Sequence, residues 1–446
     1  MADVKGMLRQ RYHELLDWQV KSPHVPLSQR IKHFTWSWFA CTMATGGIGL
    51  VIGTFPFRFR GLDTIGKIVY IFDIFLLALF SCCMIVRFVK YPGTFLGSWK
   101  HFQEKFFIAT CLLSFSSFID MFAVYAMPNT GEWMIWVIRI FFYIYLAVTF
   151  LYGTFAYYTI FRDHVYTLEG AAPTWVLPIF PCMITGVVSG SVVSSQPSAQ
   201  LKNMVILGIM FQGLGFWVYL LVYSILILRF FTIGFAKPAE RPGMFILVGP
   251  AGFTGLALIN MARGAIATRP NIFASANSSE YFAFTSTFLA LFIWGLGAWT
   301  YCFAMVSFVA GLFSHQPMKF SNTWFAMIFP NVGFVLCTVR IGQMINSKAF
   351  TLFGHIICVI LCIMWLILMY MMIRAFLVND LMYPGKDEDS KSPAESRPIA
   401  VEPEKFGIPK SQPENSLDVE KADNPLDSAN HGADHDRDSS STVHHR

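Results

Sequence analysis

The sequence contains the stretch Trp324-Phe325-Ala326-Met327-Ile328-Phe329-Pro330-Asn331-Val332-Gly333-Phe334, which is apolar but interrupted by a proline and a glycine. Proline lacks a backbone donor and clashes with the carbonyl four residues earlier, so this stretch predicts a helix that is broken or kinked. Irregular backbone at membrane depth is stable only where it is buried in protein or lines a water-filled cavity. The stretch therefore predicts a membrane helix that lines a pathway.

Ten long apolar stretches follow one another between Phe34 and Val378. Each can span a hydrocarbon core, which requires about 20 residues. Gly, Pro and Ser interrupt the odd-numbered stretches, whereas most even-numbered ones are continuous runs of Ile, Leu and Phe. The alternation predicts that the odd-numbered spans line a central pathway. The predicted spans cover residues 34–55, 68–88, 106–127, 133–160, 174–195, 203–231, 243–264, 281–314, 323–345 and 353–378.

The composition excludes a soluble globular protein. Of the 446 residues, 55% are hydrophobic and 13% are charged, whereas a soluble domain carries about 25% charged residues. An all-α integral membrane protein is expected, surrounded by the lipid bilayer and without a nucleic-acid partner. The nine Cys residues lie mostly inside the spans and have no metal-ligand spacing with His, so we expect no metal and no cofactor. Without a His-rich or paired-carboxylate motif, we expect no enzyme.

The distribution of basic residues predicts the orientation. The N-terminal segment and the loops after even-numbered spans hold 15 Lys and Arg, against 8 in the opposite loops and helix ends. The positive-inside bias therefore places both termini in the cytoplasm, as an even number of spans requires. Asn277 begins an Asn-Ser-Ser sequon after the seventh span, on the side predicted to be outside, and is a glycosylation candidate.

Three regions differ in composition. Residues 1–32 are polar, lack the apolar core of a signal peptide, and are predicted to form a cytoplasmic N-terminal segment. Residues 33–382 form the ten-span domain. Residues 383–446 lose aromatic residues and gain Ser, Pro, Asp and Glu, which predicts a disordered acidic cytoplasmic tail.

Several small residues in the odd-numbered spans are candidates for the pathway. Thr45, Gly46 and Gly47 lie in the first span, and clustered Gly exposes backbone N–H groups that can meet an anion. The alternative is close helix packing, a usual role of Gly in membrane spans. Pro181 and Pro250 predict further breaks in the fifth and seventh spans.

Four ionisable residues within the spans have competing interpretations. Arg263 and Arg340 lie near the outer ends of odd-numbered spans, where each could attract a carboxylate or simply extend to the interface. Asp120 and Arg139 are placed symmetrically about the turn at 128–131, so they share one depth and are predicted to form a structural ion pair. A proton relay through Asp120 is the alternative.

Three long motifs resemble the tellurite-resistance/dicarboxylate transporter family, which also includes the slow-type anion channels of plant guard cells. They are KHFTWSWFACTMATGG at 32–47, WFAMIFPNVGF at 324–334 and FLVNDLMYPGKD at 376–387. The resemblance implies five helical hairpins around a central pore, an inner ring of odd-numbered helices, and a homotrimer. It also implies that Phe329, which precedes Pro330, occludes the pore.

The same resemblance implies the substrate class and the location. It points to C4 dicarboxylates, namely malate, succinate and fumarate, crossing the plasma membrane as in the malate-transporting members of the family. Both a proton-coupled carrier and a channel-like anion conduit stay open. Sulfite exporters share the family's architecture, so export of sulfite or another small anion is the alternative function.

Overall fold

The structure, a computed structural model, describes residues 2–19, 23, 25–55, 57–268, 272, 273, 275, 277–384 and 386. These residues form helices, turns and bends, without a strand among them. Ten helical spans in this part of the chain are long and apolar enough to cross a membrane, which confirms the predicted all-α membrane fold. Spans 1 to 10 are Trp36–Thr54, Leu62–Lys90, Glu104–Asn129, Trp133–Asp163, Pro173–Ser195, Ser198–Thr232, Pro238–Thr268, Ser278–Leu312, Asn322–Met344 and Lys348–Leu377.

Burial separates the spans into two rings. In the odd-numbered spans 67% to 94% of the most apolar window is buried, against 28% to 39% in the even-numbered spans. The spans of the second group are single continuous helices whose large apolar side chains, such as Phe231 and Phe292, remain exposed. In a membrane protein, exposed apolar side chains of this kind form the outer surface that contacts lipid. The alternation along the sequence therefore corresponds to two rings: the odd-numbered spans form an inner ring and the even-numbered spans an outer ring.

The inner ring closes on itself. Span 1 packs against span 3, span 3 against span 5, span 5 against span 7, span 7 against span 9, and span 9 against span 1. Each inner span also packs against the outer span that follows it in the chain. The result is five hairpins around a central axis.

Four inner spans consist of a 3₁₀-helical segment followed by an α-helix. The α-helical parts are Phe39–Thr54, Phe180–Val192, Val248–Thr268 and Phe329–Met344, preceded by Trp36–Trp38, Pro173–Ile179, Pro238–Leu247 and Asn322–Met327. Span 3 differs, because its α-helix Glu104–Met121 comes first and continues through a π-helical turn, Phe122–Ala126, to Met127–Asn129. The inner spans are therefore irregular at the depth where they surround the axis.

The prolines of these spans lie before or near the starts of the inner α-helices and not in their middle, which corrects the predicted mid-helix kinks. Pro181 and Pro330 lie in the first turn of their α-helices, where the missing N–H has no intrahelical acceptor in any case. Pro178 and Pro242 lie inside the 3₁₀-helical segments that precede. Proline thus marks where each segment ends and the α-helix starts.

The N-terminal segment lies on the same face of the bundle as the end of span 10. It contains the helices Ala2–Leu16, Leu27–Arg30 and Ile31–His33. Arg30 is buried and donates to the carbonyls of Phe376, Leu381 and Met382 at the end of span 10. We call this side the N-terminal face. It also carries the short helix Thr94–Lys100 between spans 2 and 3.

The predicted division at residues 32 and 382 stays a prediction, and Arg30 of the N-terminal segment contacts the end of span 10. The predicted acidic tail, 383–446, lies outside the described residues from residue 387 onward.

Candidate functional site

A small cavity lies on the axis of the inner ring, at its N-terminal half. The volume open to the centre of a water molecule is about 20 Å³, about enough for one water. No charged side chain lines it, and the polar lining side chains are Thr110 and Thr323. Every inner span contributes to the wall, and Phe329 and Pro330 form the end toward the middle of the ring. Residues from the five spans include Ala40, Met43, Phe107, Leu177, Phe180, Ile246 and Ala326.

Three aromatic rings close the axis at this level. The ring centroid of Phe329 lies 4.9 Å from that of Phe253 and 6.1 Å from that of Phe180, and Phe180 and Phe253 are 6.0 Å apart. All three side chains are buried, and they come from spans 9, 7 and 5. We call this group the ring cluster.

Glycine makes room for the ring cluster. A Cβ at Gly249 would lie 2.6 Å from Cζ of Phe180, and one at Gly333 would lie 2.6 Å from Cγ of Phe253. Distances this short do not occur between real Cβ atoms and their neighbours. Glycine is therefore required at both positions, because any side chain there would collide with a ring of the cluster. At these two positions the helix breakers serve packing.

Of the three adjacent candidates in span 1, only Gly47 adjoins the constriction. A Cβ there would lie 3.5 Å from Cδ2 of Phe329. The Thr45 hydroxyl instead donates to the carbonyl of Cys41 and accepts from Nε1 of Trp365 on span 10 at 3.1 Å. Gly46 faces spans 2 and 3.

The two other proline candidates, Pro181 and Pro250, are near the ring cluster in sequence, and their carbonyls bond on the side of the outer ring. The carbonyl of Pro181 accepts from the Tyr145 hydroxyl on span 4 at 3.0 Å. The carbonyl of Pro250 accepts from the hydroxyl of Thr254, which in turn accepts from Nε2 of Gln212 on span 6 at 2.8 Å. Both contacts connect an inner span with the outer ring.

Arg263 and Arg340 converge at the face opposite the N-terminal one. Arg263 donates to Oε1 of Gln343 at 2.8 Å, and Arg340 donates to the same oxygen at 2.9 Å. The described residues include no carboxylate in an ion pair with either guanidinium. Two positive charges thus share one neutral acceptor at one end of the pathway.

The predicted Asp120–Arg139 ion pair is wrong. Nε of Arg139 donates to Oε1 of Gln196 at 2.8 Å, and its guanidinium lies 4.2 Å from the ring centroid of Trp136. Asp120 is buried beside Ser191 of span 5, and its Oδ1 has no hydrogen-bond partner among the described residues. The two residues contact different neighbours, because spacing from a turn does not fix the rotation of a helix about its axis.

Asn277 is exposed and directly precedes span 8. It lies at the end where spans 7 and 8 are joined, which is the face opposite the N-terminal one. The predicted sequon is therefore on the surface of that face.

The sequence analysis missed Phe180 and Phe253. One signal was present: Phe180 precedes Pro181 just as Phe329 precedes Pro330, so a Phe-Pro pair begins two of the inner α-helices. Phe253 carries no such local mark, because it reaches the ring cluster only through the packing of span 7 on span 9.

An inner ring of five irregular spans inside an outer ring of continuous, lipid-exposed helices defines a multi-pass membrane protein of the transporter and channel class. The chain belongs to the SLAC1 family, described as voltage-dependent anion channel, whose family model matches residues 33–373. The family resemblance expected from the three motifs is thereby confirmed, and the chain is a multi-pass membrane transporter.

Several relatives are transporters by name. The chain is 69% identical over 393 residues to the malic acid transport protein of Schizosaccharomyces pombe, covering 88% of this chain and 90% of that protein. A putative malic acid transport protein of the same organism is 49% identical over 383 residues, covering 86% and 89%. The sulfite efflux pump SSU1 of Trichophyton rubrum is 25% identical over 343 residues, covering 76% and 89%.

Proposed function

We propose that this protein transports C4 dicarboxylic acids, with malate as the main substrate and succinate and fumarate as further ones, through the central axis of the inner ring. The observation that carries the proposal is the axis itself, surrounded by five irregular spans and closed at the ring cluster. The choice of malate is supported by the name of the relative that is 69% identical.

Phe329 is the proposed gate. The cavity beneath it holds about one water molecule, whereas a C4 dicarboxylate is several times larger, so passage requires the three rings to separate. Pro330 fixes the start of the helix that carries the Phe329 ring. A rotation of that ring, or a small displacement of span 9, would open the axis.

Selectivity for anions would come from backbone dipoles. The α-helical parts of spans 1, 5 and 9 begin at the cavity, through Ala40, Phe180 and Phe329. The N-terminal ends of helices favour negative charge. A wall without fixed cations would attract an anion weakly and release it again, as rapid conduction requires. Gly47, Pro181 and Pro250 shape this wall, and Thr45 and Gly46 support it from outside.

Arg263 and Arg340 are proposed to concentrate anions at the opposite mouth. Their shared acceptor leaves guanidinium N–H groups for a carboxylate, whose geometry the guanidinium fork matches. An encounter site of this kind raises the local substrate concentration without a deep binding site.

The proposed orientation places the N-terminal face in the cytoplasm and the protein in the plasma membrane, as a homotrimer. The excess of basic residues on that face supports the orientation. Asn277 would then be outside and open to glycosylation. The segment 383–446 is proposed to be a cytoplasmic tail that transport does not need, so truncation after Asp389 should preserve flux.

Proton-coupled transport and channel-like conduction are both compatible with a closed central pathway. Reversal potentials under imposed pH and malate gradients separate the two, because a symporter's potential follows both gradients and a passive anion channel's follows malate alone.

Sulfite export is the second candidate function, supported by the 25% identity with a sulfite efflux pump. Purified protein in proteoliposomes, supplied in parallel with labelled malate, succinate, fumarate and sulfite, tests both. Saturable malate uptake above that of empty vesicles is expected. Uptake of sulfite without malate would assign the second function and reject the first.

A further inference from the structure

Gln343 lies in the last turn of the span 9 α-helix and joins two guanidinium groups from different spans. Its Oε1 accepts from Nη1 of Arg263 on span 7 at 2.8 Å and from Nη1 of Arg340 on span 9 at 2.9 Å. A guanidinium only donates hydrogen bonds, so the amide has to present its oxygen to both. The sequence analysis singled out the two arginines but not the residue that holds them together.

The three residues lie at the end of the central axis opposite the N-terminal face. Phe329 lines the cavity on the axis. Arg340 follows it by about three helical turns, so both project from the same face of span 9, about 16 Å apart along the helix. Gln343 comes about one turn later on nearly the same face. We call Arg263, Arg340 and Gln343 the mouth site.

The mouth site carries two positive charges. The two donating nitrogens share one oxygen, so they lie within about 6 Å of each other, a distance at which like charges repel. Neither guanidinium makes a further hydrogen bond, or an ion pair with a carboxylate, to any residue that the structure describes. Arg340 is half-buried, whereas Arg263 and Gln343 are exposed, so an anion in solvent can reach the site.

A neutral acceptor keeps the two guanidinium groups together without cancelling their charge. A guanidinium binds a carboxylate more strongly than an amide, because both partners are charged and two parallel hydrogen bonds can form. A carboxylate that arrives from solvent can therefore displace the Gln343 oxygen. A Glu at this position would instead pair with both arginines and exclude such an anion.

We propose that the Gln343 oxygen occupies the place of one substrate carboxylate, and that the substrate binds at the mouth site by displacing it. A monocarboxylate leaves one guanidinium uncompensated, whereas a dicarboxylate compensates both, so the site favours dicarboxylates. When the substrate moves on, the amide returns and keeps the two arginines in place for the next one. The inference rests on the proposed transport function and deepens it, because it makes Gln343 a specificity-determining residue.

The first test measures malate uptake into proteoliposomes with the mouth site facing outward. Gln343→Glu keeps the shape of the side chain but supplies a carboxylate that cannot diffuse away. The apparent KM for malate is expected to rise at least about tenfold, with the maximal rate within about a factor of two, because the ring cluster is unchanged. Gln343→Ala removes the competing oxygen, and its KM should be equal to or below that of the wild type.

Thr130→Glu is the matched control, since it adds the same charge at an exposed position of the turn between spans 3 and 4, on the same face. Its KM should stay within about a factor of two of the wild type. An equal KM in Gln343→Glu and Thr130→Glu would overturn the inference. So would an equal rise in Gln343→Ala and Gln343→Glu, because Gln343 would then only brace the two arginines.

The second test needs no transport. Purified Gln343→Cys protein is treated with the anionic reagent 2-sulfonatoethyl methanethiosulfonate, and modification of residue 343 is followed by mass spectrometry at constant ionic strength. Saturating malate should slow the reaction at least about threefold, because it fills the space between the guanidinium groups and cancels their attraction for the reagent. Acetate at the same concentration should slow it less. Thr130→Cys, the control, should react at one rate with and without malate.

The two tests separate the binding site from the transport function. An unchanged reaction rate of Gln343→Cys in malate rejects the mouth site even if the wild type transports malate. Slowing by malate in a protein without flux supports the site and rejects only transport. Equal slowing by acetate and malate would overturn the preference of the site for dicarboxylates.

Discussion

Glycines on the lipid-facing side of the outer ring and glycines between two inner spans have opposite surroundings. On the outer ring, a Cβ at Gly213 or Gly295 would meet nothing within 4 Å. On the inner ring, a Cβ at Gly252 would lie 2.3 Å from the backbone nitrogen of Phe334 on span 9. A glycine that faces lipid is replaceable, whereas a glycine between two inner spans sets how closely those spans approach.

The same contrast applies to phenylalanine. Phe292 on outer span 8 is 76% exposed, and Phe329 on inner span 9 is 2% exposed. Lipid can accommodate any apolar side chain of similar size, but a closed axis depends on the shape and position of each ring. The two rings of helices therefore differ in how strictly the sequence is constrained, and substitutions made in matched pairs measure that difference.

The largest expected effect is that of Phe329→Ala on flux. Replacing a buried Phe by Ala removes contacts worth about 3–5 kcal/mol from the closed arrangement, and the ring is also the obstruction. We expect malate flux to rise about tenfold or more, which corresponds to about 1.4 kcal/mol or more of lost closure. Flux into proteoliposomes per folded protein is the measurement.

Phe292→Ala on the outer ring is the control for this substitution and should leave flux within about a factor of two. Equal or lower flux in folded Phe329→Ala protein would remove Phe329 as the gate. Phe180→Ala tests the ring cluster in the same assay. Its flux should rise less than that of Phe329→Ala, because the Phe329 ring stays in place and keeps its closer contact, with the Phe253 ring at 4.9 Å.

The next effect in size is on stability. Gly252→Ala forces span 7 away from the backbone of span 9, and overpacking of this kind costs about 1–3 kcal/mol. Gly295→Ala, in an open position on outer span 8, should be neutral or slightly stabilising, since Ala favours a helix by about 0.5–1 kcal/mol over Gly. Thermal unfolding of the two detergent-purified variants provides the comparison. Equal melting temperatures would mean that the two inner spans are not in close contact.

A smaller effect is expected at the opposite mouth. Arg340→Gln should raise the apparent KM for malate about twofold to fivefold and leave the maximal rate nearly unchanged, because the charge acts on encounter and not on the constriction. The difference should shrink as ionic strength rises. Lys202→Gln, at an exposed position of outer span 6 on the same face, removes one charge away from the axis and is the control. A KM that changes equally in both variants would indicate a general surface-charge effect.

The sequence predicted the ten spans and the inner ring because helix breakers and continuous apolar runs are local properties. Within a membrane, a broken helix must be surrounded by protein, whereas a continuous apolar helix can face lipid. It also singled out Phe329, with the help of family resemblance. It could not assign the contacts between spans, because these depend on the rotation of each helix about its own axis. Thr45, Gly46 and Gly47 illustrate this limit: three adjacent candidates face span 10, spans 2 and 3, and span 9, respectively.

Asp120 and Arg139 illustrate the same limit across the two rings, and they carry the smallest expected effect. The symmetrical spacing about the turn predicted one depth for both residues, but Arg139 bonds to Gln196 and Asp120 lies beside Ser191. A double-mutant cycle with Asp120→Asn and Arg139→Gln should therefore be additive within about 0.3–0.5 kcal/mol in the free energy of unfolding. The cycle of Arg139→Gln with Gln196→Ala should instead show a coupling of about 0.5–3 kcal/mol, because that pair shares a buried hydrogen bond. If the first cycle shows the larger coupling, the carboxylate and the guanidinium attract each other directly, and the contacts between spans 3 and 4 would need to be assigned again.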